Sequence, residues 1–197
     1  MRRRFLLTGT SATLGWQALA PLTASAAASA NAGAVIQLLA QGSCAVLLRH
    51  AQTEPGVGDP AGFRLDVCSS QRNLNAQGQQ QAKRIGTWFK AQNLLPSAVR
   101  TSAWCRCQDT ARLAFGNGVM VWPALNSFFG DTRNQEPAQT ALLRAALSEI
   151  APGSFEVWVT HQVNITGLTG DVPAMGEARV VQLASQGKMR LLPLRFD

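Results

Sequence analysis

Only two histidines occur in the 197 residues, and each ends a short apolar run: His50 closes AVLLRH and His161 closes FEVWVTH. A continuous apolar run of this length reads as a strand covered on both faces. In open α/β sheets the carboxyl ends of the strands line the ligand crevice. A lone histidine there is more often structural than catalytic, but two at the ends of separate strands point to chemistry. A zinc site is the competing reading, and it usually takes three protein ligands at short spacing. The four cysteines do not complete one, because Cys44 lies inside the first run and Cys105 and Cys107 flank an arginine. The expectation is a site without a metal or other cofactor.

The elements that must position these residues follow from pattern. CAVLL (44–48), Ser97 to Ser102, VMVW (119–122) and FEVWV (155–159) read as strands. Asn75 is placed to cap a helix whose Ala82, Ile85, Gly86 and Phe89 share one face. A second helix is expected from Arg106 to Phe115, closed by Gly116 and Gly118. A third carries the stripe Leu142, Leu143, Ala146, Leu147 and Ile150, stopped by Pro152-Gly153. The tail, ARVVQLAS then MRLLPLRF, reads as a hairpin. Strands alternating with helices predict a three-layer α/β/α sandwich, its sheet mostly parallel, with the hairpin adding antiparallel character at an edge.

Four segments together carry a resemblance. LLRHAQTEPG, RNLNAQGQQQA, TSAWCRCQDTA and VWVTHQVNI, in that order, are similar to the signature segments of the histidine phosphatase superfamily, in its phosphoglycerate mutase-like branch. The resemblance implies a phosphohistidine intermediate at His50. It implies a cationic ring of Arg49, Arg106 and His161 around the transferred phosphoryl group. Such a set suits the chemistry, since the transition state spreads charge over three equatorial oxygens and arginine offers forked, permanently charged donors. Thr53 and Gln162 are candidate neutral phosphate donors. Arg106 opens a helix, where an unpaired cation is disfavoured unless an anion is expected at the same place.

The chain departs from the resemblance at the leaving-group acid. Family members carry a glutamate shortly after the third strand, and Ser127 occupies that position here. Asp131 is the nearest substitute, with Glu136 as runner-up; each reads equally well as a solvated loop carboxylate. The stretch from Gln52 to Gln81 is expected to set specificity. The four cysteines permit up to two disulfides in three connectivities. Cys44 reads as a buried apolar residue, and Cys68 with Cys105 or Cys107 is the preferred pair.

Residues 1–30 resemble a twin-arginine export signal: Arg2, Arg3 and Arg4, a moderately apolar stretch, then the small-residue sites ending at Ala26 and Ala30. A Sec signal is the alternative. The expectation is a periplasmic domain over 31–197, meeting the export machinery and the membrane only through the uncleaved signal. Without the leader arginines, 15 basic residues face 11 acidic ones, an excess of four without a cluster. That balance argues against nucleic acid and fits a small phosphorylated substrate. The sequence reading is an exported phosphatase acting on phosphomonoesters. Its alternatives are a mutase-like phosphotransferase and a catalytically weak phosphate- or lipid A-binding module.

Overall fold

The computed structural model describes residues 22–184 and 187–196, with side chains described from residue 32 onward except that of Asp131. Arg2, Arg3 and Arg4 lie outside the described residues. The chain runs α1 (Leu22–Gln41), β1 (Cys44–Arg49), α2 (Ala76–Ala91), β2 (Ala98–Thr101), α3 (Cys105–Phe115) and β3 (Val119–Val121). It continues through α4 (Glu136–Glu149), β4 (Phe155–Thr160), α5 (Gln162–Thr169), β5 (Ala178–Leu183) and β6 (Met189–Leu194). The six strands form one sheet in the order β3-β2-β4-β1-β5-β6. The first four of these are parallel, and β5 and β6 are the antiparallel hairpin at the edge.

The apolar run in β1 has a direct cause. Cys44, Val46 and Leu48 pack with Val35, Leu38 and Leu39 of α1, Ile85 and Phe89 of α2 and Ala111 of α3. Ala45 and Leu47 point the other way, to Leu143 and Leu147 of α4 and Ile165 and Leu168 of α5. With successive side chains alternating across the strand, both sets must be apolar. Each buried Leu or Val contributes roughly 1.5–3 kcal/mol relative to exposure. The result is a three-layer sandwich.

Asn75 caps α2 as its spacing predicts, accepting from the Gly78 amide at 2.8 Å, and Ala82, Ile85, Gly86 and Phe89 are the buried face. Gly86 permits close packing on α3: a Cβ there would lie 2.2 Å from the Ala114 carbonyl oxygen. The α4 stripe is narrower than expected. Leu143, Leu147 and Ile150 are buried, but Leu142 is 53% exposed, because one residue is a rotation of about 100° away from the core-facing line. The helix α5 was not foreshadowed by pattern, since QVNITGLT is short, β-branched and contains glycine. Gly167 is needed there, with Glu136, Phe128 and Thr140 all within 3.4 Å of where a Cβ would stand. The helix α1 crosses the expected 30/31 boundary without a break, and Val35, Leu38 and Leu39 at its C-terminal end are core residues. Among the described residues no helix is long and apolar enough to cross a membrane.

Candidate active site

Strand register brings the histidines together. In the central pair Arg49 lies opposite Thr160, so the residues that follow, His50 and His161, leave the sheet side by side. The His50 amide donates to the Thr160 carbonyl at 3.0 Å, and the Gly176 amide donates to the carbonyls of Arg49 and His50 at 3.2 and 3.1 Å. The Ala51 amide donates to Thr110 Oγ1 at 3.0 Å. The two rings stand edge to face, with centroids 5.5 Å apart.

His50 is 2% exposed, and its Nδ1 lies 2.9 Å from the Ala51 carbonyl oxygen. A carbonyl only accepts, so Nδ1 carries the hydrogen and Nε2 holds the lone pair. Burial pushes the ring's pKa down to about 3. The Ala51 hydrogen bond opposes that shift, while Arg106, Arg49 and Arg72 reinforce it. The imidazole is therefore neutral near pH 7, and its free nitrogen is a nucleophile rather than an acid.

Three guanidiniums surround it. Arg106, the second residue of α3, is 4% exposed. Its Nη1 donates to both Asp59 oxygens, at 2.8 and 3.1 Å, and to the Arg72 carbonyl at 3.3 Å. Arg49 Nη1 donates to the Pro173 carbonyl at 2.8 Å, and Arg72 Nη1 to the Val57 carbonyl at 2.6 Å. The Nε atoms of all three are buried without a hydrogen-bond partner among the described residues. Buried donors without a partner carry a desolvation cost that an anion bound among them would offset. Burial and the charge of neighbouring arginines depress the pKa values of Arg49 and Arg72. The sequence reading missed Arg72; its one signal was that it opens the RNLNAQG segment. Asp59, inside a Gly/Pro-rich loop, carried no signal.

His161 is 4% exposed. Its Nε2 lies 2.9 Å from Ser102 Oγ and 3.5 Å from Cys107 Sγ, and Trp104 packs edge-on with centroids 5.1 Å away. Ser102 reaches this place because Thr101 pairs with Val159 in the neighbouring strand. Burial holds the His161 pKa well below its usual value, helped by His50 and the three arginines. Burial also raises the Cys107 thiol to about 12, so it is uncharged.

The loop between β1 and α2 closes over this end of the sheet. Cys68 is disulfide-bonded to Cys105, the first residue of α3, whereas Cys44 and Cys107 are free and buried. Gln71 donates to the Arg64 and Leu65 carbonyls and accepts from the Cys105 amide at 2.9 Å, capping α3 from outside. Thr53 is buried, its hydroxyl 3.6 Å from Met175 Sδ. Gln162 opens α5 beside His161, half-buried. Ser127 Oγ accepts from the Phe129 amide at 3.3 Å. The Asp131 side chain lies outside the described residues. Glu136 starts α4, with a carboxylate oxygen 3.1 Å from the Cβ position of Gly167, about 9 Å along α5 from His161.

Comparison with known proteins identifies the family and the fold. The chain is 38% identical over 77 residues to a 2,3-bisphosphoglycerate-dependent phosphoglycerate mutase of Corynebacterium diphtheriae, covering 39% of this chain and 29% of that one. It is 31% identical over 120 residues to a mutase of the same description from Streptomyces avermitilis, covering 57% and 43%. The chain thus spans under half the length of the curated mutases it matches. Among solved structures, the alpha-ribazole phosphatase of Shigella flexneri superposes with TM-score 0.55 at 21% identity, over 76% of this chain and 95% of that one. The protein histidine phosphatase SixA complexed with tungstate gives 0.53 at 19%, over 75% and 93%. These structures share the fold. The profile of the histidine phosphatase superfamily (branch 1) matches residues 45–149, more than half of the chain, and the chain belongs to that superfamily.

Proposed function

We propose that this protein hydrolyses phosphomonoesters through a phosphohistidine formed on His50. One observation carries the reading. A neutral imidazole, its tautomer fixed by Ala51, is ringed by three arginines whose buried Nε–H groups lack partners among the described residues. In the first step the Nε2 lone pair attacks phosphorus and the bond to the leaving oxygen breaks. In the second, water attacks phosphorus, the P–N bond breaks, and inorganic phosphate leaves with His50 restored. Arg49, Arg72 and Arg106 meet the charge on the equatorial oxygens. The Ser102 hydroxyl gives its hydrogen to Asn126 Oδ1, and its oxygen lies 2.9 Å from Nε2 of His161, which holds that ring beside His50.

Exported residence belongs to the same proposal. It is supported by the leading arginines and by the Cys68–Cys105 disulfide, a bond that persists in oxidising compartments. A mutase reading is favoured by the curated relatives. The two separate on the acceptor: hydrolysis yields inorganic phosphate from p-nitrophenyl phosphate in water, whereas a mutase requires a phosphorylated acceptor. The purified protein should turn over p-nitrophenyl phosphate, His50→Ala should not, and alkaline quenching of the wild type should trap phosphate on His50. Wild-type turnover in His50→Ala overturns the proposal. Binding of inorganic phosphate with no turnover of any ester would mark a binding module instead.

A further inference from the structure

We infer that Asp59 is a positioning residue for Arg106: it grips that guanidinium by one nitrogen and leaves the Nε edge to the phosphoryl group. The inference rests on the proposed phosphoryl chemistry, and it names a residue outside the four matched segments.

The geometry is unlike that of the other hydrogen-bonded Arg–carboxylate pairs among the described residues, in all of which Nε donates to the carboxylate: Arg179 to Asp171 and Arg195 to Glu177 do so through Nε alone. Arg100 binds Glu156 through Nε and Nη2, at 2.7 and 3.0 Å, and Arg64 binds Asp66 through the same two nitrogens, at 3.1 and 2.6 Å. That two-nitrogen fork is the preferred arrangement. Arg106 instead gives Nη1 alone to both oxygens of Asp59, and its Nε, buried with the residue only 4% exposed, has no partner among the described residues. The edge that elsewhere grips a carboxylate is here kept for another anion.

Asp59 is itself fixed. Oδ1 accepts from the Arg72 amide at 2.9 Å and Oδ2 from Trp104 Nε1 at 3.2 Å. The same carboxylate thereby ties Arg106 to the backbone of a second site arginine. Burial pulls the Asp59 pKa upward, but the hydrogen bonds from Arg106, Arg72 and Trp104 and the charge of Arg106 hold it below the usual carboxylate range, so it stays charged. Arg49, Arg72 and Arg106 all lower the His50 pKa, which places three like charges around one ring. Without a counter-charge, Arg106 would be driven from its neighbours. With Asp59 ionised and both histidines neutral, the site holds a net charge of two, matched to a phosphomonoester dianion.

The test is a double-mutant cycle on p-nitrophenyl phosphate turnover. Asp59→Ala should lower kcat roughly 10- to 10²-fold with KM changed less than about threefold, since Arg106 acts chiefly on transition-state charge. In an Arg106→Ala background the same change should have no further effect on kcat. Asp59→Asn keeps an acceptor for the Arg72 amide and guards against misfolding, and it should give a smaller kcat loss that also disappears without Arg106. Equal losses with and without Arg106 would reduce Asp59 to a loop support and overturn the inference, as would unchanged kcat in Asp59→Ala. If the wild type turns over no ester, the proposed function fails first. Orthovanadate affinity then tests Asp59 separately: it should weaken in Asp59→Ala and be indifferent to that change once Arg106 is gone, and additive weakening would refute the positioning role.

Discussion

His50 and its arginines make the strongest demands on single residues. Arg106→Ala should lower phosphatase turnover by about 10²–10³, the scale of losing one preorganised transition-state donor. Arg106→Lys should recover only part of that, because an ammonium lacks the fork. Arg72→Ala should also lower it, by roughly 10- to 10²-fold on the same scale; an undiminished rate would remove Arg72 from the ring. The leaving-group acid is tested by the ratio of alkyl to aryl phosphate turnover. Asp131→Asn should depress alkyl turnover selectively, since a nitrophenolate leaves without help. Glu136→Gln, whose carboxylate sits against Gly167, should leave the ratio alone. A constant ratio in both variants assigns the proton to water or His161. Protonation also couples to folding. His50 titrates at about 3 when folded and near 6.5 when unfolded, so below pH 6.5 the unfolded chain binds protons that the native site refuses. His50 therefore destabilises the fold progressively as pH falls from about 6.5 to about 3. Thermal melts should show a shallower acid dependence in His50→Asn than in the wild type; identical slopes would contradict the buried neutral ring.

At the level of elements, the weak point is the loop between β1 and α2, which supplies Asp59 and Arg72 yet contains only one turn of 3-10 helix, at Cys68–Ser70. Its tether is the Cys68–Cys105 disulfide, spanning 37 residues of sequence. The chain-entropy model assigns a closure of that length about 3–4 kcal/mol. Cys68→Ser should therefore lower Tm and, because Cys105 immediately precedes Arg106, lower kcat as well. Dithiothreitol should reproduce both effects in the wild type and neither in the variant. Retained kcat with lowered Tm would show that the site does not depend on the tether. The α2–α3 contact is less forgiving of bulk: the Gly86 Cβ position, 2.2 Å from a backbone oxygen, makes Gly86→Ala costly by about 1–3 kcal/mol through overpacking, measurable by urea denaturation.

For the molecule as a whole, the proposed export sets where it works. The twin-arginine reading rests on residues 2–4, with cleavage expected after Ala26 or Ala30, within the sequence of α1. Cleavage at either site leaves Val35, Leu38 and Leu39, which pack into the core, with the mature domain. Replacing Arg2, Arg3 and Arg4 with Lys should hold the protein in the cytoplasm, measured by fractionation. Unaltered export would indicate the Sec route. An exported chain that retains Phe5 would end the signal-peptide proposal.

The sequence by itself determined the layered architecture and singled out the two histidines that the fold sets side by side. Apolar runs ending in His50 and His161 encode strands whose carboxyl ends face the same crevice, and period-3.6 stripes encode the helices that cover them. Those signals are local, so residues a few positions apart suffice to write them. Tertiary structure decided the rest because it depends on partners distant in sequence. The β1–β4 register sets two rings 5.5 Å apart across 111 positions. The free Cys107 rather than Cys105 lies beside His161. Leu142 faces solvent although Leu143, the next residue of its stripe, does not, since a stripe only approximates which arc of a helix meets the sheet. Asp59 and Arg72 belong to the site through one carboxylate that bridges a loop and a helix N-terminus. No periodicity marks such a bridge, because its energy comes from opposed charges brought together by folding.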